Sequence, residues 1–350
     1  MRNPIIEEDL KFITDSTLPW ELLEGKNILI SGAGGFLPAY LVKTVLFLNE
    51  NRFKNKAKIF ALDRNKETII NRFAAYKNRT DLMFIIQDVC EPINIKDEIH
   101  FIIHAASQAS PKYFGKDPVG TLSANVLGTR SLLEFARVKK VESFLFFSSG
   151  AVYGEVSEKD MPIKENIYGY IDPTSVRSCY TESKRMGETM CISWFHQYGV
   201  PAKIVRPFHT YGPGISLDDG RVQADFVSDI VNNRNIIMKS DGSAIRPFCY
   251  IADATVGFFI VLLKGKNGEA YNVSDSREEI SILNLANLLI GLFSDKNLKV
   301  EKKEVIEKGY IKGRITRHSP DISKIAKLGW KPRHSLKIGF IRTIRSFLNE

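Results

Sequence analysis

Tyr180 and Lys184 stand four residues apart in Cys179-Tyr180-Thr181-Glu182-Ser183-Lys184. On a helix that spacing puts both side chains on one face. An ammonium beside a phenol favours the phenolate and lowers a pKa that is ordinarily about 10. A phenolate so tuned can accept the proton of a substrate hydroxyl while a hydride leaves the same carbon. Ser149, upstream in Phe147-Ser148-Ser149, offers a hydroxyl to hydrogen-bond the reacting oxygen. Tyr-x-x-x-Lys pairs are common on helix surfaces, so this one gains meaning only if the chain also holds a hydride acceptor.

The elements that must position these groups follow from hydrophobic periodicity. Short apolar runs at Asn27–Ser31, Lys58–Leu62, Met83–Gln87, His100–His104 and Ser143–Ser148 alternate with amphipathic stretches at Ala39–Leu48, Lys66–Tyr76 and Pro118–Val138. Runs of this kind suit buried parallel strands joined by crossover helices. They predict an α/β chain with a Rossmann-type, doubly wound parallel sheet covered by helices on both faces. Tyr180 opens a further helix reaching about Tyr198. After residue 215 the rhythm changes, with helices predicted at Val222–Asn233, Ile251–Leu263, Ser281–Phe293 and Leu336–Leu348 among short irregular strands. The expected organisation is an N-terminal extension over 1–25, a dinucleotide-binding domain over 26–214 that includes the Tyr/Lys pair, and a smaller C-terminal α/β substrate lobe over 215–350.

The first strand runs into Gly32-Ala33-Gly34-Gly35-Phe36-Leu37-Pro38 and then a helix. Glycines at such a turn let the backbone approach a pyrophosphate, whose charge meets the helix N-terminus. Asp63 ends the second strand, where a carboxylate can bind both ribose hydroxyls of NAD and would repel the 2′-phosphate of NADP. Tightly bound NAD+ is therefore expected, with Arg64 the one neighbour that favours NADP. Pro38 stands where a third glycine is usual, and a proline fits the first turn of a helix.

The formal charge of +9 is spread along 350 residues and mixed with 40 acids. That suits a cleft for a small anion better than a nucleic-acid surface. No apolar run reaches 18 residues, so no membrane span is expected. Met1-Arg2-Asn3-Pro4 leads into Glu7-Glu8-Asp9 without the apolar core of a secretory signal, so a cytoplasmic protein is expected. Cys90, Cys179, Cys191 and Cys249 lack metal-ligand or disulfide-frame spacing, so reduced thiols and no metal site are expected.

With these motifs in place, residues 26–345 resemble an extended short-chain dehydrogenase/reductase of the sugar-nucleotide epimerase/dehydratase group. The look is most similar to UDP-glucuronate decarboxylases. The resemblance rests on Asp88-Val89-Cys90-Glu91-Pro92, His104-Ala105-Ala106-Ser107 with Ala109-Ser110-Pro111, and Asn125-Val126-Leu127-Gly128-Thr129. It also rests on Arg177-Ser178-Cys179-Tyr180 with Lys184-Arg185, Tyr211-Gly212-Pro213, Asp219-Gly220-Arg221-Val222, Pro320-Asp321-Ile322 and Leu328-Gly329-Trp330-Lys331-Pro332. It implies that Asp88 and Val89 flank the adenine, that Ala105 and Ala106 line the dinucleotide, and that Asn125 and Ser148 belong to the cofactor site. It places Pro207 and His209 beside the nicotinamide and the substrate phosphates. It adds Ser107, Arg221, Val222 and Arg246 as contacts to a nucleoside-diphosphate sugar, with Arg314 or Arg317 as a further one. The arginines suit that role chemically, because guanidinium forks bind phosphate oxygens bidentately. The resemblance further implies a homodimer through the helices Pro118–Val138 and Tyr180–Tyr198.

Two departures bear on the reaction. The decarboxylases and 4,6-dehydratases carry an acid before the Val-Tyr-Gly that follows the serine strand, and here that place is Ala151, preceded by Gly150. Neither residue can act as an acid or base at C5 or C6. Secondly, His209 stands where the family has Asn. The leading expectation is an NAD-dependent epimerase working through a keto-sugar, at C4. A keto-reductase ranks next, then a decarboxylase or 4,6-dehydratase, and last a non-catalytic NAD-binding scaffold.

Overall fold

A computed structural model describes residues 2–303 and 317–348. Six parallel strands come first in the chain: β1 (Asn27–Ser31), β2 (Lys58–Asp63), β3 (Leu82–Ile86), β4 (Phe101–His104), β5 (Ser143–Phe147) and β6 (Ala202–Pro207). The rest of the chain adds short ladders: β7 (Thr210–Tyr211) with β10 (Cys249–Tyr250), β8 (Ile236–Met238) with β13 (Val300–Lys302), and β9 (Ile245–Pro247) with β12 (Glu279–Ser281). One late strand, β11 (Ala270–Val273), returns to the main sheet, whose order is β11-β6-β5-β4-β1-β2-β3 with every pair parallel. The order reverses between β1 and β4, and the crevice at their carboxyl ends is where such sheets bind ligands.

Helices α1 (Pro4–Thr14), α2 (Phe36–Asn51), α3 (Lys66–Arg72), α4 (Pro118–Lys139) and α5 (Ser178–Tyr198) precede α6 (Val222–Val231), α7 (Ile251–Lys264), α8 (Ile282–Leu292), α9 (Ser323–Ala326) and α10 (Leu336–Leu348). Strand residues alternate between two helical layers. Ile28, Ile30, Ile59, Ile103 and Leu145 pack with α2, α7 and α1. Leu29, Phe60, Ile102, Phe144 and Phe146 pack with Leu132, Leu133 and Ala136 of α4 and Cys191 of α5. That two-sided burial is why the strands read as nearly continuous apolar runs.

Caps set the helix ends that matter for the site. Gly35 caps α2, so the helix begins at Phe36, three residues before the expected Ala39, and Pro38 lies inside its first turn. The first four N–H groups of a helix have no partner within it, so the missing one at Pro38 breaks no helical bond. Asp117 caps α4 by accepting from Gly120 N at 3.0 Å, with Pro118 at the first helical position. The N-terminal helix is pinned through a buried carboxylate. Asp9 accepts from Tyr40 of α2 at 3.0 Å, Tyr250 of β10 at 2.8 Å and Arg342 of α10 at 2.7 Å.

Candidate active site

The glycine turn sits at the β1–β4 crevice. Gly32 leaves β1 with φ +68°. A Cβ there would lie 2.6 Å from Ala106 Cα and 2.8 Å from Ala106 N, backbone atoms that cannot step aside. The pairing Ser31↔His104 thus brings Gly32 against Ala105 and Ala106. Behind them runs a buried relay absent from the expected site. Ser31 Oγ accepts from Ala105 N and Ala106 N at 3.2 and 3.3 Å and bonds His104 Nδ1 at 2.8 Å. His104 Nε2 meets Thr129 Oγ1 at 3.0 Å, and burial pushes the imidazole down to about 3, so it stays neutral.

At the outer side of the crevice, Gly34 N donates to Asp63 Oδ2 at 3.0 Å, while Asp63 Oδ1 accepts from Asn65 N at 2.9 Å. The carboxylate therefore lies beside the glycine turn, with Phe36 and Leu37 opening the helix behind it. Arg72 donates to Gly34 O at 3.2 Å and to Gly214 O at 2.7 Å, tying the turn to the later half of the chain. Arg64 is exposed, 3.9 Å from Asp88, and Val89 packs on Gly128 of α4. A positive-φ cradle with no room for a Cβ and a carboxylate at its rim fit a pyrophosphate and a ribose diol.

Tyr180 and Lys184 are buried on α5, at 8% and 2% exposure. Ser149 hydrogen-bonds the Tyr180 hydroxyl and accepts from Ala151 N at 3.1 Å. Phe114 stacks on the tyrosine ring with centroids 5.0 Å apart and planes 17° apart. The electrostatics differ from the sequence-based expectation. Burial raises the Tyr180 pKa, while the Ser149 hydrogen bond and the positive charge of Arg221 pull it down. Lys184 is not the tuning charge here. Its Nζ donates to Phe147 O at 2.6 Å and lies 5.9 Å from the Tyr180 ring centroid, and burial takes it down to about 7. The amine has turned to the nearest buried acceptor, the carbonyl at the end of β5.

Asn125 donates to Ser183 Oγ at 2.9 Å, leaving its Oδ1 buried without a partner. Ser148 is committed elsewhere. Its Oγ lies 2.5 Å from Glu188 Oε1, and Glu188 holds Arg206 through bonds of 2.8 and 2.6 Å. Arg206 continues to the Tyr153 hydroxyl at 2.8 Å and that hydroxyl to Asn272 at 2.6 Å.

Beyond Pro207 at the end of β6, His209 adopts φ +33°, and burial, then Arg246, His318 and Arg221, hold its pKa well below the usual value. The positive charges of Arg246 and Arg221 both act on His209, and that of Arg221 also acts on Tyr180. Arg221 caps α6 just ahead of Val222 and donates to Ala109 O at 2.9 Å. Arg246, on β9, donates to Ile245 O at 2.7 Å. Ser107 Oγ is buried and unpartnered. Arg317 is drawn off: it is half-exposed, donates to Glu279 at 2.9 Å, and is not among the charges acting on His209. Arg314 lies outside the described residues. Among the described residues no group of three His, Cys, Asp or Glu side chains could hold a metal ion, and no helix is long and apolar enough to cross a membrane.

A model of the NAD dependent epimerase/dehydratase family matches residues 28–274. The chain belongs to this family. UDP-glucuronic acid decarboxylase 1 of Arabidopsis thaliana is 32% identical over 329 residues, covering 92% of this chain and 70% of that protein. Among solved structures, UDP-N-acetylglucosamine 4-epimerase from Methanobrevibacter ruminantium M1, in complex with UDP-N-acetylmuramic acid, superposes with a TM-score of 0.80 at 21% identity over 93% of this chain and 99% of that one. UDP-glucuronic acid 4-epimerase from Bacillus cereus, in complex with UDP-glucuronic acid and NAD, gives 0.77 at 23% over 92% and 99%. At these identities the superpositions establish the fold, the parallel-sheet architecture of the family.

Three parts of this family member's site escaped sequence reasoning. Ser31 and His104 close apolar strands, and His104 opens the His104-Ala105-Ala106-Ser107 motif, but neither carries a site role in the sequence. Phe114 lies in the loop before α4, which is clasped to the Arg221 loop through Ser110 to Asp219 O and Lys112 to Asp218 O. His318, beside Gly150, carried no signal at all.

Proposed function

We propose that this member of the epimerase/dehydratase family is an isomerase, inverting C4 of a nucleoside-diphosphate hexose with NAD+ held at the β1–β4 crevice. The observation that carries the reading is the wall beside Ser149. Gly150 and Ala151 follow the serine directly, and neither has an ionisable group for elimination or decarboxylation. Asp63 at the rim favours NAD over NADP through the ribose diol. The cofactor, when bound, supplies a reversible hydride acceptor.

The protein's own groups then have defined tasks. Tyr180 takes the substrate hydroxyl proton and returns it, with Ser149 hydrogen-bonded to the reacting oxygen. Lys184 braces the end of β5 through Phe147 O. Arg221 and Arg246 hold the diphosphate while the keto-sugar turns, which needs an anchored phosphate and a sugar pocket with few fixed contacts. Ser107 and His209 face the same substrate. The diphosphate contacts, Arg221 and Arg246, fall in the region from residue 215 onward, and the cofactor contacts before it.

A second reading, decarboxylation of a UDP-uronate, is favoured by the 32% identity to a plant UDP-glucuronic acid decarboxylase. Incubation with a panel of sugar nucleotides without added cofactor, read by NMR, separates the readings. A C4 stereoisomer of equal mass is expected, loss of carbon dioxide supports the decarboxylase, and a stoichiometric demand for NADH or NADPH points to a keto-reductase. We further propose a cytoplasmic homodimer. Val119, Leu127 and Val138 of α4 are 73%, 51% and 66% exposed, and Met186 of α5 is 49% exposed, an apolar face on two helices already packed together.

A further inference from the structure

A buried ion pair ties the Ser149 turn to the helix that carries Tyr180. Glu188 lies on α5, about two turns beyond Tyr180, and Arg206 lies on β6. Arg206 is 1% exposed and Glu188 8%. Arg206 Nε donates to Glu188 Oε1 at 2.8 Å and Nη2 to Oε2 at 2.6 Å, a bidentate fork that holds both groups in one geometry. Each partner also grips one end of the serine turn. Glu188 Oε1 accepts from Ser148 Oγ at 2.5 Å, directly before Ser149. Arg206 Nη1 donates to the Tyr153 hydroxyl at 2.8 Å, on the last residue of the turn Gly150–Tyr153. Arg185, also on α5, donates to Val152 O at 2.8 Å. The segment carrying the Ser149 hydroxyl is therefore fixed at both ends to the Tyr180 helix.

The protons of this network have defined directions. The Tyr153 hydroxyl accepts from Arg206 and donates onward to Asn272 Oδ1 at 2.6 Å. The Asn272 amide donates to Ile163 O at 3.0 Å and to Asp321 O at 2.9 Å. Arg206 Nη1 has a second acceptor in Glu165 O at 2.8 Å. A buried network satisfied in this way is rigid. As a source of stability a buried ion pair is weak, because desolvation of the two charges offsets much of their attraction. Apolar side chains could fill the same space, but they could not orient Ser148 and Tyr153. The polar pair matters for geometry.

We propose that the Glu188–Arg206 pair is a positioning device for Ser149, which sets the rate of proton transfer at Tyr180 and leaves cofactor and substrate affinity unchanged. In the sugar-nucleotide reading above, on which this inference rests, Ser149 and Tyr180 serve the same substrate oxygen. A displaced serine turn then misaligns the transfer without removing a binding contact. Ser148 is in this arrangement a positioning residue for its neighbour and not a cofactor contact.

Two small substitutions test it while leaving the ion pair in place. Ser148→Ala removes the bond to Glu188, and Tyr153→Phe removes the bond from Arg206; either variant alone decides. Products from UDP-glucose, UDP-N-acetylglucosamine, UDP-glucuronate and thymidine diphosphate glucose are followed by NMR. On the nucleotide that the wild type converts, each variant should lower kcat about tenfold, the rate equivalent of one hydrogen bond. KM for that nucleotide and the calorimetric affinity for NAD should not change. In a Ser149→Ala background the same substitutions should lower kcat no further, because the group they place is gone. Deuterium exchange read by mass spectrometry reports the turn itself, and both variants should exchange faster over residues 149–154 but not over α5. Wild-type kcat overturns the proposal. So does an equal loss with and without the Ser149 hydroxyl, which marks a general structural role, or a fall in NAD affinity in Ser148→Ala, which marks a cofactor contact. Unchanged exchange over the turn overturns the clamp even where the rate falls. A wild type that converts none of the four nucleotides overturns the sugar-nucleotide reading, and the rate effect with it.

Discussion

Replacing Lys184 with methionine should stabilise the folded chain at neutral pH. The lysine is 2% exposed, and burial moves its pKa from 10.5 to about 7. In the unfolded chain the amine is charged up to about pH 10.5, whereas in the folded chain it is largely neutral above 7. At pH 7.5 that difference of about three units costs the native state about 4 kcal/mol. Methionine keeps the apolar stem and removes this cost. It also leaves Phe147 O without its donor at 2.6 Å, a loss of about 1–3 kcal/mol. The net expectation is a variant about 1–3 kcal/mol more stable at pH 7.5. The sign with pH follows from the direction of the shift. The lysine's cost is full below the folded value and disappears as pH rises to the unfolded one, so the advantage of methionine should shrink steadily and reverse between about pH 8 and 10, where the remaining cost falls below the loss at Phe147 O. Urea unfolding of both proteins at pH 7, 8.5 and 10 measures this. A variant less stable by the same amount at every pH would refute the assignment of Lys184 as a desolvated amine.

Tyr180→Phe should keep the stack on Phe114 and the fold, yet lower turnover by about 10²–10⁴-fold, the worth of a positioned acid–base group; near-native rates would assign proton transfer elsewhere. Asp63→Ala should weaken NAD binding far more than NADP binding in calorimetry, and an equal loss would argue against the ribose contact. Between pH 6.5 and 4.5 the protein should lose stability at about 1.4 kcal/mol per pH unit for each of His104 and His318. Their folded values, about 3 and about 4, lie below the unfolded 6.5, so over this window the unfolded chain takes up protons that the native one does not. A melting temperature flat from pH 7 to 4.5 would contradict this.

The first five strands were legible because each is an apolar run, buried on both faces except at the edge strand β3, where Met83 and Ile86 are exposed. β6 was not assigned. Its segment Ala202–Pro207 contains Lys203 and Arg206, and the buried charge of Arg206 is tolerated only because Glu188, on a different element, pairs with it. β11 escaped for a related reason: Asn272 interrupts a four-residue strand, and its side chain is satisfied by Tyr153, Ile163 O and Asp321 O. α2 starts three residues before the expected Ala39 because its cap is Gly35, which places Pro38 within the first turn. Within the site, residue types and spacings showed which groups can do chemistry, but not which partner each would choose. The turn of Lys184 toward Phe147 O depends on a strand end distant in sequence, as does the engagement of Ser148 by Glu188. His318 reaches the Gly150 corner only because the segment around Pro320 bridges to Ile163, a tertiary contact with no local signature.

The most direct test of C4 epimerisation is mass spectrometry combined with NMR on a hexose nucleotide carrying deuterium at C4, incubated with the purified protein and no added cofactor. The expected product has unchanged mass, inverted configuration at C4 and its deuterium retained on that carbon, because the hydride leaves and returns within one closed site and Gly150-Ala151 offer no base to divert the keto-sugar. A product lighter by water, or carbon dioxide released from the corresponding uronate nucleotide while the hexose goes unconverted, would contradict it.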